Sequence, residues 1–139
     1  MRQSVVFYFV TLTAYLALDA IWLDLTSASL YRAGLGPILL SSLRKAPGIA
    51  VYLLEVLGLL VFVMPRAEAS GEATTALLYG GWFGVFTYGL YDLANYATLR
   101  HWSLRLVCTD VAWGAAVSGL SAAIGWSIAS RSRGRRRFL

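Results

Sequence analysis

Acidic side chains inside apolar stretches are the residues of this sequence most able to do chemistry. Asp19, Asp92 and Asp110 each fall within a block of about twenty mostly apolar residues, and Glu55 lies near the middle of another. An acidic group in lipid costs about 2.5–3.5 kcal/mol even on insertion scales, so such residues usually pair with polar groups or form a site. Neighbouring carboxylates repel each other, which favours binding of a proton or a cation. These residue types predict a polar pocket.

Helical spacing predicts that this pocket lies in one half of the bilayer. If the apolar blocks cross in alternate directions, the end of the first, the end of the third and the start of the fourth lie on the same side. Residues three or four apart share a helix face, as Asp19 and Trp22 do, and as Asp110 and Trp113 do. A short connection brings Arg100 and His101 just above them. The candidate ligand-binding residues are Asp19, Trp22, Tyr88, Asp92, Asn95, Arg100, His101, Asp110 and Trp113.

Three functions fit this pattern. The first is a binding or transport module for a cation, a proton or a lipid headgroup, and the second is an accessory or structural subunit of a larger membrane complex. The third is a lipid-acting enzyme with Asp92 or Asp110 as general base and His101 as its partner. No nucleophile motif, phosphate loop or metal-binding spacing supports this third function, so no catalytic residue and no metal site is predicted, and the cofactor is unknown. Intramembrane acids can also simply fix helix register.

The elements that must position these residues are membrane-spanning helices. The chain has 139 residues, of which 58% are hydrophobic and 14% charged, whereas a soluble domain is about a quarter charged. Four apolar blocks, at about 4–25, 47–64, 75–97 and 104–129, are each long enough to cross about 30 Å of hydrocarbon as a helix. We therefore expect an all-α, four-helix transmembrane bundle over residues 1–130, followed by a basic tail at 131–139.

The basic residues predict the orientation of the chain. Four crossings place both termini on one side, with seven arginines there and five basic residues on the other. The positive-inside rule then places both termini in the cytoplasm. The expected partners are membrane lipids, other membrane subunits or a second copy of the chain, and not nucleic acid. Small residues four apart predict close helix packing, internal or with a partner, at Gly80 with Gly84, Ala115 with Gly119, and Ser121 with Gly125.

Two motifs resemble the signature of an uncharacterised family of small bacterial membrane proteins. They are YDLANYATLRHW and the following TDVAWGA, and the stretches LDAIWL, YRAGLG and APGIAVYLLEVLGLLVF look like further parts of the same pattern. The resemblance implies four membrane spans in a bacterial inner membrane and no particular activity. It places these residues at motif positions: Asp19, Trp22, Tyr91, Asp92, Asn95, Thr98, Leu99, Trp102, Asp110, Trp113 and Gly114.

Overall fold

Four long helices make up the protein. The computed structural model describes residues 2–134, and these contain no β-strand. The helices are α1 (Arg2–Leu35), α2 (Lys45–Ser70), α3 (Ala73–Thr98) and α4 (Leu104–Gly134). The predicted all-α bundle is therefore confirmed. The first residues of the predicted basic tail continue α4 as a helix, and the rest of that tail, residues 135–139, lies outside the described residues.

Helices α1, α2 and α4 are long and apolar enough to cross a membrane. Helix α3 has 26 residues, about 39 Å at 1.5 Å per residue, which is also long enough. Its length suffices, but its four tyrosines and four glycines lower its mean hydropathy, so it is not apolar enough to be identified as a membrane span in the way the other three are. That α3 crosses the bilayer therefore stays a prediction.

Helix α1 extends well beyond the span end expected near residue 25. A π-helical stretch, Ser27–Arg32, follows the α-helix and leads into a further turn, Ala33–Leu35. At the junction the Thr26 hydroxyl donates a hydrogen bond of 2.7 Å to the Trp22 carbonyl, a contact that often bends helices. The stretch between the first two apolar blocks is thus helical in its first part: Gly34 lies within α1, and the helix ends at Leu35, directly before Gly36.

Helix α2 likewise continues past its predicted end at residue 64. It contains a π-helical stretch, Leu59–Val63, and then a final α-helical segment, Met64–Ser70. Pro65 falls at the start of that segment, where a missing backbone N–H costs little. The helix ends at Gly71, whose φ of 77° is the left-handed conformation that glycine adopts most readily.

Helix α4 is the centre of the bundle, because it packs along α3 and also against α1. The α3–α4 contact is close: a Cβ added at Gly80 would lie 2.9 Å from the Ser118 carbonyl oxygen, and one at Gly84 would overlap the Gly114 carbonyl. Gly125 lies against Thr11 of α1. The small residues noted in the sequence therefore mediate packing within the chain, on two different neighbours of α4.

Two apolar clusters fill the interior. The larger one joins all four helices and includes Phe7, Tyr15, Leu59, Val117 and Trp126. The smaller one covers the start of α4, where the end of α1 contributes Leu35 to a cluster with Trp102, Leu106 and Val107. The end of α1 therefore folds over the beginning of α4, which brings the polar residues of both segments together.

We expect Gly84→Ala to destabilise the bundle by about 1–3 kcal/mol, because its methyl group would force α3 away from α4. Gly89→Ala on the same helix is the control, since nothing lies within 4 Å of a Cβ there. The measurement is reversible unfolding in mixed detergent micelles, followed by circular dichroism. Equal unfolding midpoints for the two variants would contradict this packing.

Candidate functional site

Asp19 of α1 is the acceptor that connects three helices. Its side chain is 7% exposed. Its Oδ1 accepts a hydrogen bond of 3.0 Å from the Trp113 indole N–H on α4, and its Oδ2 accepts one of 2.5 Å from the Tyr52 hydroxyl on α2. Both donors are neutral side chains. The buried carboxylate is therefore satisfied by aromatic N–H and O–H groups.

Asp110 of α4 is held by the end of α1. Its Oδ1 accepts a hydrogen bond of 2.5 Å from the Tyr31 hydroxyl, which itself accepts one of 3.2 Å from the Trp22 indole N–H. The Trp22 and Trp113 rings stack with their centroids 4.6 Å apart and their planes 4° from parallel. Asp19, Trp113, Trp22, Tyr31 and Asp110 thus form one continuous aromatic and acidic network.

Asp92 of α3 is fully buried beside this network. Its Oδ1 accepts a hydrogen bond of 3.0 Å from the Trp102 indole N–H. Its Oδ2 has no hydrogen-bond partner among the described residues. Asp110 is near enough to interact electrostatically with both Asp92 and Asp19, so three aspartates from three helices share this half of the bundle.

A tyrosine-lined cleft lies between α1, α2 and α3, next to the aspartates and nearer the middle of the helices. Its volume is about 350 Å³. The first half of α2 makes few contacts with α3, which leaves the space open. The Tyr15 and Tyr88 hydroxyls are hydrogen-bonded to each other at 2.8 Å. The residues that line the cleft are Tyr15, Val51, Tyr52, Glu55, Thr87, Tyr88 and Tyr91.

Glu55 is the acidic group of this cleft. Its Oε1 accepts hydrogen bonds from the Thr87 hydroxyl at 3.1 Å and from the Ser118 hydroxyl at 3.2 Å. Within the described residues both of its hydrogen bonds are on that one oxygen, so Oε2 is left for a ligand. A carboxylate among tyrosine faces is suited to a cation, because ring faces and carboxylates both attract positive charge. Within residues 2–134, no three His, Cys, Asp or Glu side chains are grouped as a metal site would require.

The structure brings some of the predicted site residues together and separates others. Asp19, Trp22, Asp110 and Trp113 share one network, and Asp92 lies beside it. Tyr88 lines the cleft. The same cleft is lined by Tyr52, which donates a hydrogen bond to Asp19. Asn95 is half-buried on α3, whereas Arg100 and His101 are exposed in the α3–α4 connection and do not line the cleft.

Sequence reasoning named Tyr88 among the site residues but did not include Tyr15, Tyr31 or Tyr52. Tyr52 precedes Glu55 by three residues, so the two share a face of α2, and that spacing could have identified both. Tyr15 could have been found in the same way, four residues before Asp19. Tyr31 could not, because its contact with Asp110 depends on α1 continuing as a helix beyond Thr26.

We expect Asp19→Ala to destabilise the protein by about 1–3 kcal/mol for each donor it leaves unpaired, namely the Trp113 indole and the Tyr52 hydroxyl. Asp19→Asn keeps one carbonyl acceptor and should lose less. Asp24→Ala is the matched control, since Asp24 is exposed on the same helix. Detergent-based unfolding midpoints measure the difference, and an Asp24→Ala loss as large as that of Asp19→Ala would count against the network.

Comparison with known proteins agrees with the membrane character of the helices. A family model described as "Predicted membrane protein (DUF2177)" matches residues 4–127. No curated protein and no solved structure matches the chain. The family match covers nearly all of the residues that build the four helices. This chain is an integral membrane protein and belongs to the DUF2177 family of predicted membrane proteins.

Proposed function

We propose that this protein is a membrane-embedded binding or transport module whose ligand is a cation, either free or as the cationic part of a lipid headgroup. The observation that carries the proposal is the position of Glu55. Its carboxylate lies in a cleft of about 350 Å³ whose other polar walls are tyrosines and one threonine. An intramembrane acidic group facing a cavity is a binding site by default, since a purely structural acid would be enclosed by its partners.

The contacts of Glu55 explain how the cleft would hold a positive charge. Thr87 and Ser118 donate to Oε1 and fix the side chain, so Oε2 can receive the cation without rearrangement. Tyr15 and Tyr88 line the same cleft, and their hydroxyls are already bonded to each other. Cation–π attraction reaches about 2 kcal/mol when the cation is desolvated, so carboxylate and rings reinforce each other here.

The exposure of the lining residues supports entry from the lipid side. Val51 and Tyr91 stand at the mouth and are 63% and 60% exposed, whereas Tyr15 is 1% exposed at the bottom. The mouth lies between the start of α2 and the end of α3, on the outer surface of the bundle. A ligand that is already in the membrane, such as an amine-bearing lipid, would have the shortest route.

The aspartate network has a supporting role in this proposal. Asp19 accepts the hydrogen bond of Tyr52, which lines the cleft, and the same carboxylate is anchored by Trp113. The network thereby fixes the orientation of one cleft wall relative to α4. Most of the acidic and aromatic candidates identified from the sequence would therefore hold the wall of the cleft in place and would not contact the ligand.

The charge distribution supports four crossings with both termini on the cytoplasmic side. Three antiparallel turns follow from the short connections between the helices. Arg2, Arg66 and Arg131 then lie at one end of the bundle, and further arginines follow Arg131 in the sequence. At the opposite end lie the basic residues Arg32, Arg44, Lys45, Arg100 and Arg105. By the positive-inside rule the first end faces the cytoplasm of a bacterial cell.

We expect Glu55→Gln to lower cation affinity at least about tenfold, equivalent to about 1.4 kcal/mol. Glutamine keeps an acceptor for Thr87 and Ser118 but removes the charge, so the fold should persist. The probes are sodium, potassium, choline and ethanolammonium chlorides, titrated calorimetrically into purified protein in nanodiscs at constant ionic strength.

Glu72→Gln serves as the control for that titration, because Glu72 is exposed and accepts a hydrogen bond from Thr74 outside the cleft. It should bind as the parent protein does. Binding of none of the four cations by the parent, or unchanged binding in Glu55→Gln, would refute the proposed site.

A further inference from the structure

We infer that a second groove, between α2 and α3 at the opposite end of the bundle, binds one anionic phospholipid, with Arg66 taking its phosphate and the aromatic walls its acyl chain. The groove has a volume of about 510 Å³. It shares no residue with the Glu55 cleft, so neither proposal depends on the other. The lining residues are Phe62, Val63, Arg66, Tyr79, Trp82, Phe83 and Phe86.

Among the described residues that line the groove, Arg66 supplies the only positive charge. Its guanidinium carbon lies 4.8 Å from the centre of the Tyr79 ring. A guanidinium has five N–H donors, more than a contact with one ring can occupy, so donors remain available. Two of those donors match two oxygens of a phosphate, a pairing that arginine makes better than lysine. Tyr79 thus holds a phosphate-binding group in place.

The rest of the groove is lined by apolar side chains, and contacts within the bundle hold these side chains in place. Phe83 packs directly against Gly58, where a Cβ would overlap its ring, and Phe62 stacks on Phe83 with centroids 6.1 Å apart. Trp82 is 61% exposed and stacks on Phe86 with centroids 6.2 Å apart. These rings form a firm apolar wall in contact with the outside of the bundle, as an acyl chain requires.

The order of groups along the groove selects a phospholipid as the occupant. Arg66 and Tyr79 lie towards the helix ends, and Phe62 and Phe86 lie four and seven residues further towards the middle. Charge at the end and apolar surface towards the middle is the order of headgroup and acyl chain in a leaflet. A partner helix would need apolar surface along its whole length. Glu68, two residues from Arg66, lies on a different side of α2 and does not line the groove.

The test uses tryptophan quenching by brominated lipids. Protein is reconstituted in phosphatidylcholine vesicles that contain the same fraction of either dibrominated phosphatidylglycerol or dibrominated phosphatidylcholine. The Trp82 signal is the difference between each protein and its Trp82→Phe counterpart. We expect phosphatidylglycerol to be favoured over phosphatidylcholine at Trp82 by about fivefold, as one basic residue near the surface provides.

Arg66→Gln should reduce that preference to about one, and Arg66→Lys should leave an intermediate value, since it keeps the charge without the planar donors. Arg100→Gln, at the other end of the bundle, should keep the full preference. Equal quenching by the two lipids in the parent protein would overturn the inference, and so would a preference that survives in Arg66→Gln. Circular dichroism confirms that each variant is helical before it is compared.

Discussion

The fold of this protein depends on side chains that donate hydrogen bonds to buried carboxylates, since water is not available to do so. In the hydrocarbon core an unpaired polar group costs several kcal/mol, so each acid must be satisfied by the protein itself. Asp19 meets this requirement with the Trp113 indole and the Tyr52 hydroxyl, which come from two other helices. Because a hydrogen bond requires its atoms within a narrow distance, this one side chain fixes the rotation of α1, α2 and α4 about their axes.

The helices pack closely on one side of the bundle, between α3 and α4, and less closely on the other, between α2 and α3. Glycines allow α3 and α4 to approach until carbonyl groups face backbone atoms, which closes that interface. The second half of α2 packs against α3, with the Phe83 ring against Gly58, whereas its first half stands apart. The cleft at Glu55 is the space that this uneven packing leaves. The groove at Arg66 lies on the other side of the Gly58–Phe83 contact, which separates the two candidate sites.

Much of the fold and part of the site follow from the sequence. Apolar blocks of the right length predict the helices, and acidic residues within them are rare enough to attract attention. The extent of α1 was not predictable, since the apolar block ends near residue 25, whereas the π-helical stretch Ser27–Arg32 and the turn Ala33–Leu35 continue the helix up to Gly36. Tyr31 was missed for the same reason.

Other parts of the site depend on tertiary geometry. Helical spacing from an acidic residue marks Tyr52, three residues before Glu55, but it marks Tyr96, four residues after Asp92, equally well, although Tyr52 lines the cleft and Tyr96 does not. Arg100 and His101 follow close upon Asp92 in sequence, yet they lie in an exposed connection because α3 ends at Thr98. The sequence predicted that both lie in this connection, above the aspartates; the structure has both side chains exposed in it and outside the lining of the cleft.

The most direct test of the central claim is nitrogen-15 nuclear magnetic resonance of the tryptophan indoles. The chain has five tryptophans, so five indole N–H signals can be followed. The Trp113 signal should be shifted and protected from hydrogen exchange in the parent protein, and Asp19→Ala should remove both effects. The Trp102 signal should keep its protection, because its acceptor is Asp92. A Trp113 indole that is equally protected with and without the Asp19 carboxylate would contradict the account.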